Sequence, residues 1–195
     1  MTDFEVIECE HEGVMMEAFL ARPEGDGPHP TIMMFPGATG TGPTFESTAR
    51  GLARNGYLAL GIDVYGVEAD LSSHEKAGEY FAALLANPKL LRSRIVAWFD
   101  SIAARRDVDA ARIAAIGYCF GGRCVLELAR SGADVKAVVA YHGLLGTHQP
   151  ARAGEVKAEV VAYCAGKDPY SPMEDFDAFR AEMDAAGARY QLTLF

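Results

Sequence analysis

Cys119 stands in Ile116-Gly117-Tyr118-Cys119-Phe120-Gly121-Gly122, with glycines two residues before it and two and three after. An apolar run from Arg112 to Ile116 leads in, and a helix-like run from Cys124 to Arg130 leads out. Strand, sharp turn and helix, with small residues on both sides of the tip, form the setting of a nucleophile elbow. A Cβ at either flanking glycine would crowd such a turn. The chemistry indicated is attack by a thiolate, because the positive end of a helix dipole favours the ionised sulfur. A free cysteine is most often an inert core residue. The glycine frame and the strand-to-helix context argue against that here.

A thiolate nucleophile needs an imidazole to move the proton, a carboxylate to hold the imidazole, and two N–H groups to bind the oxyanion. In open α/β sheets these groups gather at the carboxyl ends of the strands. Asp168, in Ala165-Gly166-Lys167-Asp168-Pro169, follows the apolar run Val160–Cys164. The order nucleophile then acid is that of α/β-hydrolases. The plainer reading of Asp168 is an Asp-Pro turn capped by its own side chain. Asp175 and Asp177 are nearby alternatives, but they fall within a helix. One oxyanion donor is expected from the Phe120 N–H, directly after the nucleophile. The other is expected from the Pro36-Gly37-Ala38 turn, where Gly37 is the candidate. The glycine loop 37–42 has neither the dinucleotide spacing nor the Lys-Ser/Thr of a P-loop.

The elements around these residues read as follows. Residues 4–10 and 14–21 predict an antiparallel hairpin at a sheet edge. Thr31–Phe35, Tyr57–Ile62, Val135–Tyr141 and Val160–Cys164 predict strands buried on both faces. A helix is predicted around Phe45–Leu52, ended by Asn55-Gly56, and further helices at 75–86 and from Pro88 to about Arg105. Asp107–Asp109 predicts a turn. Ser171-Pro172-Met173-Glu174 predicts a capping box with proline at the first helical position, opening a helix that Gly187 ends. Tyr190–Phe195 predicts a last strand. Strands alternating with helices, with no internal repeat, predict one α/β domain over residues 1–195 with a mostly parallel sheet, an N-terminal antiparallel hairpin and helices on both faces.

The chain has 195 residues, and half of them are apolar, which suits a single globular core. A formal net charge of −9 and the lack of a basic cluster exclude non-specific nucleic-acid binding. Met1–Glu5 is acidic, unlike an export leader, and no run approaches a membrane span. Cys9, Cys119, Cys124 and Cys164 are scattered, without zinc-site or disulfide spacing. No metal site and a reducing cytoplasmic home are therefore expected.

Gly117-Tyr118-Cys119-Phe120-Gly121-Gly122, with Gly56-Tyr57, Asp63-Val64-Tyr65-Gly66 and Gly166-Lys167-Asp168-Pro169, resembles the dienelactone hydrolase family of α/β-hydrolases, from about residue 14 onward. The resemblance implies an eight-stranded sheet. It also implies hydrolysis of lactones or small esters by a Cys-Asp-His triad through a thioester, with no cofactor and a small molecule as partner. Cys119 would be the nucleophile and Asp168 the acid. The family's type substrate is an anion held by arginines, which makes Arg92, and beside it Arg94, candidates to reach the pocket. Pro36 stands where better-known members carry a glutamate facing the thiol. The family's histidine follows the last strand, so the base and a closing helix are expected beyond Phe195. Among the histidines present, His11, His29 and His74 are expected in solvated turns or loops. His142 ends the Val135–Tyr141 strand and is expected in the pocket wall. The competing reading is a non-catalytic ligand-binding protein on a hydrolase scaffold.

Overall fold

The computed structural model describes residues 4–195; the Met1–Asp3 part of the acidic N-terminus lies outside them. In chain order the elements are β1 (Glu5–His11), β2 (Val14–Ala21), β3 (His29–Phe35), α1 (Pro43–Arg54), β4 (Leu58–Ile62), α2 (His74–Ala86), α3 (Pro88–Ala103), β5 (Val108–Tyr118), α4 (Phe120–Arg130), β6 (Ala137–Tyr141), β7 (Glu159–Cys164), α5 (Met173–Ala186) and β8 (Arg189–Leu194). The strands form one eight-stranded sheet in the order β1-β2-β4-β3-β5-β6-β7-β8. β2 runs antiparallel to both its neighbours, and every pairing from β4 to β8 is parallel. This is the predicted α/β-hydrolase architecture, with the N-terminal hairpin at one edge.

Two helix boundaries are set by turn chemistry. Gly187 ends α5 at φ 65°, the left-handed conformation in which glycine pays no Cβ penalty. Asn87 caps α3 by accepting the Leu90 N–H, and Pro88 starts it without wasting a donor. The capping box expected at Ser171 does not form. Pro172 is the N-cap residue with extended backbone, and the Ser171 hydroxyl is buried without a partner. The turn expected at Asp107–Asp109 includes Asp107 but ends there. β5 begins at Val108, which pairs with His29 across a register shift and is 6% exposed. Burying Val108 draws the strand out past the turn residues.

The two faces of the sheet are covered unequally. Met33, Phe35, Leu60, Ala115, Val138 and Val160 pack into the main core with residues of α2, α3, α4 and α5. On the other face Ala49, Phe45 and Leu52 of α1 pack on Met34, Ala59 and Ile116. Beyond α1 that face carries an aromatic ladder along the strand ends. Tyr118, Tyr141 and Tyr163 stack at 5.0 and 5.3 Å, and Phe195 adds a fourth ring at 6.1 Å. Phe45 meets Tyr118 edge-on at 5.9 Å. Tyr141 is 37% and Phe195 80% exposed, so this part of the face stands open. No helix among the described residues is long and apolar enough to cross a membrane.

Candidate active site

β5 runs directly into α4 through Cys119, whose φ of 55° and ψ of −115° make it the bend between strand and helix. A non-glycine residue in that conformation costs roughly 1–3 kcal/mol and persists only where its surroundings over-determine it. The surroundings here do so. The Cys119 N–H donates to the Tyr141 carbonyl at 2.9 Å, and its own carbonyl accepts the Gly122 N–H at 2.9 Å. The three glycines permit the approach. A Cβ on Gly117 would lie 1.9 Å from the Gly121 carbonyl oxygen. One on Gly121 would lie 1.9 Å from the Phe35 oxygen, and one on Gly122 would lie 2.6 Å from the Gly143 Cα. The elbow is thus wedged between the ends of β3 and β6. Cys119 is half-buried, while Cys9, Cys124 and Cys164 are buried. Burial pushes the Cys124 thiol up, and the Cys164 thiol to about 11.

The two expected oxyanion donors belong to residues next to Cys119 in the chain or in space. Phe120 opens α4, so its N–H precedes the first intrahelical donor. Gly37 lies against the nucleophile: a Cβ there would sit 3.8 Å from the Cys119 Cβ, an ordinary contact. The Gly37 carbonyl accepts the Gly40 N–H at 3.0 Å and closes the turn after β3.

Tyr65, known from the sequence only as one residue of the Asp63-Val64-Tyr65-Gly66 motif, ties these two pieces together. Its hydroxyl donates to the Ala38 carbonyl at 3.0 Å, and its ring stacks on Phe120 with centroids 5.6 Å apart. Its N–H donates to Asp63 Oδ1 at 2.8 Å, and its carbonyl accepts from Arg94 Nη1 at 3.0 Å. Burial pushes the Tyr65 phenol upward, and the negative charges facing it add to the shift. Asp63 also accepts the Gly66 N–H at 2.7 Å, while its carbonyl oxygen accepts from Trp98 Nε1 at 2.7 Å. Burial raises the Asp63 carboxyl, partly opposed by these N–H bonds and by Arg94. The loop after β4 is therefore held from below by α3 and reaches up to both oxyanion candidates. The signal in Asp63-Val64-Tyr65-Gly66 was local, whereas the contact that matters spans 27 residues.

A cavity of about 300 Å³ opens beside the elbow. Gly37 and Phe120 line it together with Pro36, Asp63, Tyr65 and Cys124; Cys119 stands behind Gly37 and is not itself in the wall. Pro36 lines the cavity where the resemblance would place a glutamate, and the acids in the wall are Glu17 and Asp63.

Asp168 lies in the loop after β7, half-buried, and its Oδ1 accepts the Tyr170 N–H at 2.9 Å. Its side chain thus caps its own turn, as the plainer reading had it. β6 separates it from Cys119. Two strand spacings put the backbones at the ends of β5 and β7 about 10 Å apart. His142 follows the end of β6, between them, at the positive φ of 40°, with its N–H on the Tyr163 carbonyl at 2.8 Å. Its side chain is exposed and is not in the cavity wall where it was expected. The left-handed turn after Tyr141 aims the residue outward.

Arg92 is likewise not in the cavity. Its Nε donates to Glu127 Oε2 at 2.8 Å and its Nη2 to the Gln149 carbonyl at 2.8 Å. Glu127, in the middle of α4, is fully buried and also faces Arg123 at 3.3 Å and Arg130 at 3.1 Å. Burial would push the Glu127 carboxyl up, but the three guanidiniums outweigh it and hold the group below the usual carboxylate range. These bonds engage the Arg92 guanidinium within the protein, away from the cavity. His11 bonds the Ser93 hydroxyl at 2.9 Å, His29 is buried, His74 starts α2, and His148 lies 3.9 Å from Glu127.

The model of the family described as "Dienelactone hydrolase family" matches residues 16–195. A protein of Escherichia coli (strain K12) named as a carboxymethylenebutenolidase is 28% identical over 196 residues, covering 94% of this chain and 72% of the relative. A protein of Bradyrhizobium sp named as a 2-oxo-3-(5-oxofuran-2-ylidene)propanoate lactonase is 28% identical over 191 residues, covering 91% and 75%. Among solved structures, m3DLH is 31% identical with a TM-score of 0.88, covering 99% of this chain and 81% of that one.

Proposed function

From the premise that the chain belongs to the dienelactone hydrolase family, we propose that it hydrolyses lactones or small carboxylic esters through a thioester on Cys119. The observation that carries the reading is the cysteine held at φ 55° between β5 and α4, with Phe120 directly after it and Gly37 packed close to it. The names of the two relatives, one a carboxymethylenebutenolidase and one a lactonase, support a lactone as the substrate class.

In this reading the Cys119 sulfur attacks the ester carbonyl carbon. The oxyanion forms against Phe120 N–H and Gly37 N–H, and the C–O bond to the alcohol part breaks as that oxygen takes a proton. Water then attacks the thioester, releasing the acid and restoring the thiol. The imidazole that moves these protons is oriented by Asp168, whose carboxylate turns from the Tyr170 amide to reach it. We assign the base to a histidine outside residues 1–195, because the triad order places it after the acid. The open face carrying Tyr141, Tyr163 and Phe195 is where a helix following that histidine would pack.

The test is turnover of a γ-lactone and a neutral phenyl ester by the natural full-length protein, with trapping of the thioester by rapid acid quench and peptide mass mapping. An acyl group on Cys119, and loss of turnover in Cys119→Ala, are expected. Turnover that survives Cys119→Ala overturns the reading, and binding without any turnover makes the protein a non-catalytic member. His142→Ala should keep the activity; losing it would move the base to His142.

A further inference from the structure

The wall of the cavity beside the elbow carries charge of one sign. Val6, Phe19, Phe35, Val67, Leu71 and Phe120 supply its apolar surface. Glu17 and Asp63 line it as well, and among the described residues no lysine, arginine or histidine does. The two arginines that the resemblance offered for an anionic substrate are both committed elsewhere. Arg92 is bound to Glu127 and to the Gln149 carbonyl. Arg94 lies beneath the cavity, its Nη1 donating to the Val64 and Tyr65 carbonyls at 2.8 and 3.0 Å. Its charge offsets Asp63 from behind the loop, and the side chain is buried and absent from the cavity wall. Glu17, exposed at the cavity, has no lysine, arginine or histidine beside it in the wall among the described residues.

We propose that this site accepts uncharged esters and lactones whose substituent is apolar, and that Glu17 and Asp63 select against substrates bearing a carboxylate. The inference rests on Cys119 as the nucleophile and narrows the substrate class of that reading. A carboxylate entering the cavity would lose water and meet two like charges with no cation to pair with it. An apolar group entering the same space exchanges water for the six apolar walls.

The experiment reads the charge preference at Cys119 without needing turnover. Two iodoacetamides with the same reacting carbon are used, one with an N-butyl tail and one with an N-carboxypropyl tail. Each forms the S–C bond at Cys119 and expels iodide. Their rate ratio on the folded protein is divided by their ratio on the urea-unfolded chain, at low ionic strength. A preference for the butyl reagent of about tenfold or more is expected, since unpaired like charges in a cavity cost on this scale. Glu17→Lys should cut that preference at least about threefold, an exposed charge being partly screened. Asp63→Asn is a weaker test, because Asp63 also holds the Tyr65 and Gly66 amides and the variant can fail to fold. A corrected ratio within about twofold of unity, or one favouring the carboxylate tail, overturns the inference while leaving Cys119 as nucleophile. Modification of Cys9, Cys124 or Cys164 ahead of Cys119 overturns the catalytic reading, and the inference with it.

Discussion

Replacing Gly121 by alanine tests whether the elbow is as tightly wedged as its contacts indicate. The new Cβ would lie 1.9 Å from the Phe35 oxygen, 2.4 Å from the Phe35 carbonyl carbon and 2.7 Å from the Pro36 oxygen. All three are backbone atoms at the end of β3, so no side chain can turn aside. Restoring ordinary contact requires α4 and β3 to part by more than about 1 Å in a close-packed interior. Overpacking of this kind costs about 1–3 kcal/mol, and with backbone on both sides the upper end applies. For a chain of this size, 1 kcal/mol moves Tm by about 2–4 °C, so a loss of about 6–12 °C is expected. Gly37→Ala is the control. Its Cβ meets the Cys119 Cβ at 3.8 Å and the Tyr118 oxygen at 3.9 Å, so the fold should accept it within about 0.5 kcal/mol. Thermal unfolding followed by circular dichroism measures both. If Gly121→Ala melts within about 2 °C of the parent, or if the two variants melt alike, the argument that the glycines create the elbow is wrong.

Limiting iodoacetamide on the native protein should label Cys119 first, because Cys9, Cys124 and Cys164 are buried with thiols raised by burial; peptide mapping reads the order. Tyr65→Phe keeps the stack on Phe120 but removes the bond to the Ala38 carbonyl, and should lower kcat about tenfold with KM within about twofold, less than the loss of an oxyanion donor itself. A lower Tm with kcat intact would make Tyr65 merely structural. Glu127→Gln strands three guanidiniums and should cost about 3–5 kcal/mol, read as a lower urea midpoint. Because the Glu127 carboxyl is held below its unfolded value, its contribution is complete above about pH 4.3 and is lost as pH falls through the folded value. Stability of the parent should therefore decline on acidification through that window more steeply than that of Glu127→Gln, and parallel pH profiles would contradict the assignment.

The elbow was legible because its evidence is local: three glycines within six positions, between an apolar run and a helical one. The mostly parallel sheet followed from apolar runs alternating with helices, whereas the order of its strands came only with the structure. What escaped depends on partners far along the chain. Arg92 sits on the helix before the elbow, and nothing near it reveals Glu127, 35 residues away, as its partner. Tyr65 looked like one member of a weak motif until the fold brought Ala38 to its hydroxyl. At Ser171 the local signal was present but lost to packing, which buries the hydroxyl and leaves Pro172 at the cap. Val108 lost its turn in the same way, to burial against β3.

Trp98 is the single tryptophan of the chain, fully buried, with its indole N–H on the carbonyl of Asp63. The chain therefore carries its own optical reporter at the root of the loop that holds Tyr65. An event that lifts that loop and admits water to the indole would shift its emission to the red. Excited at the red edge of its absorption, where the eight tyrosines do not absorb, that one indole would report on the state of the loop without a label.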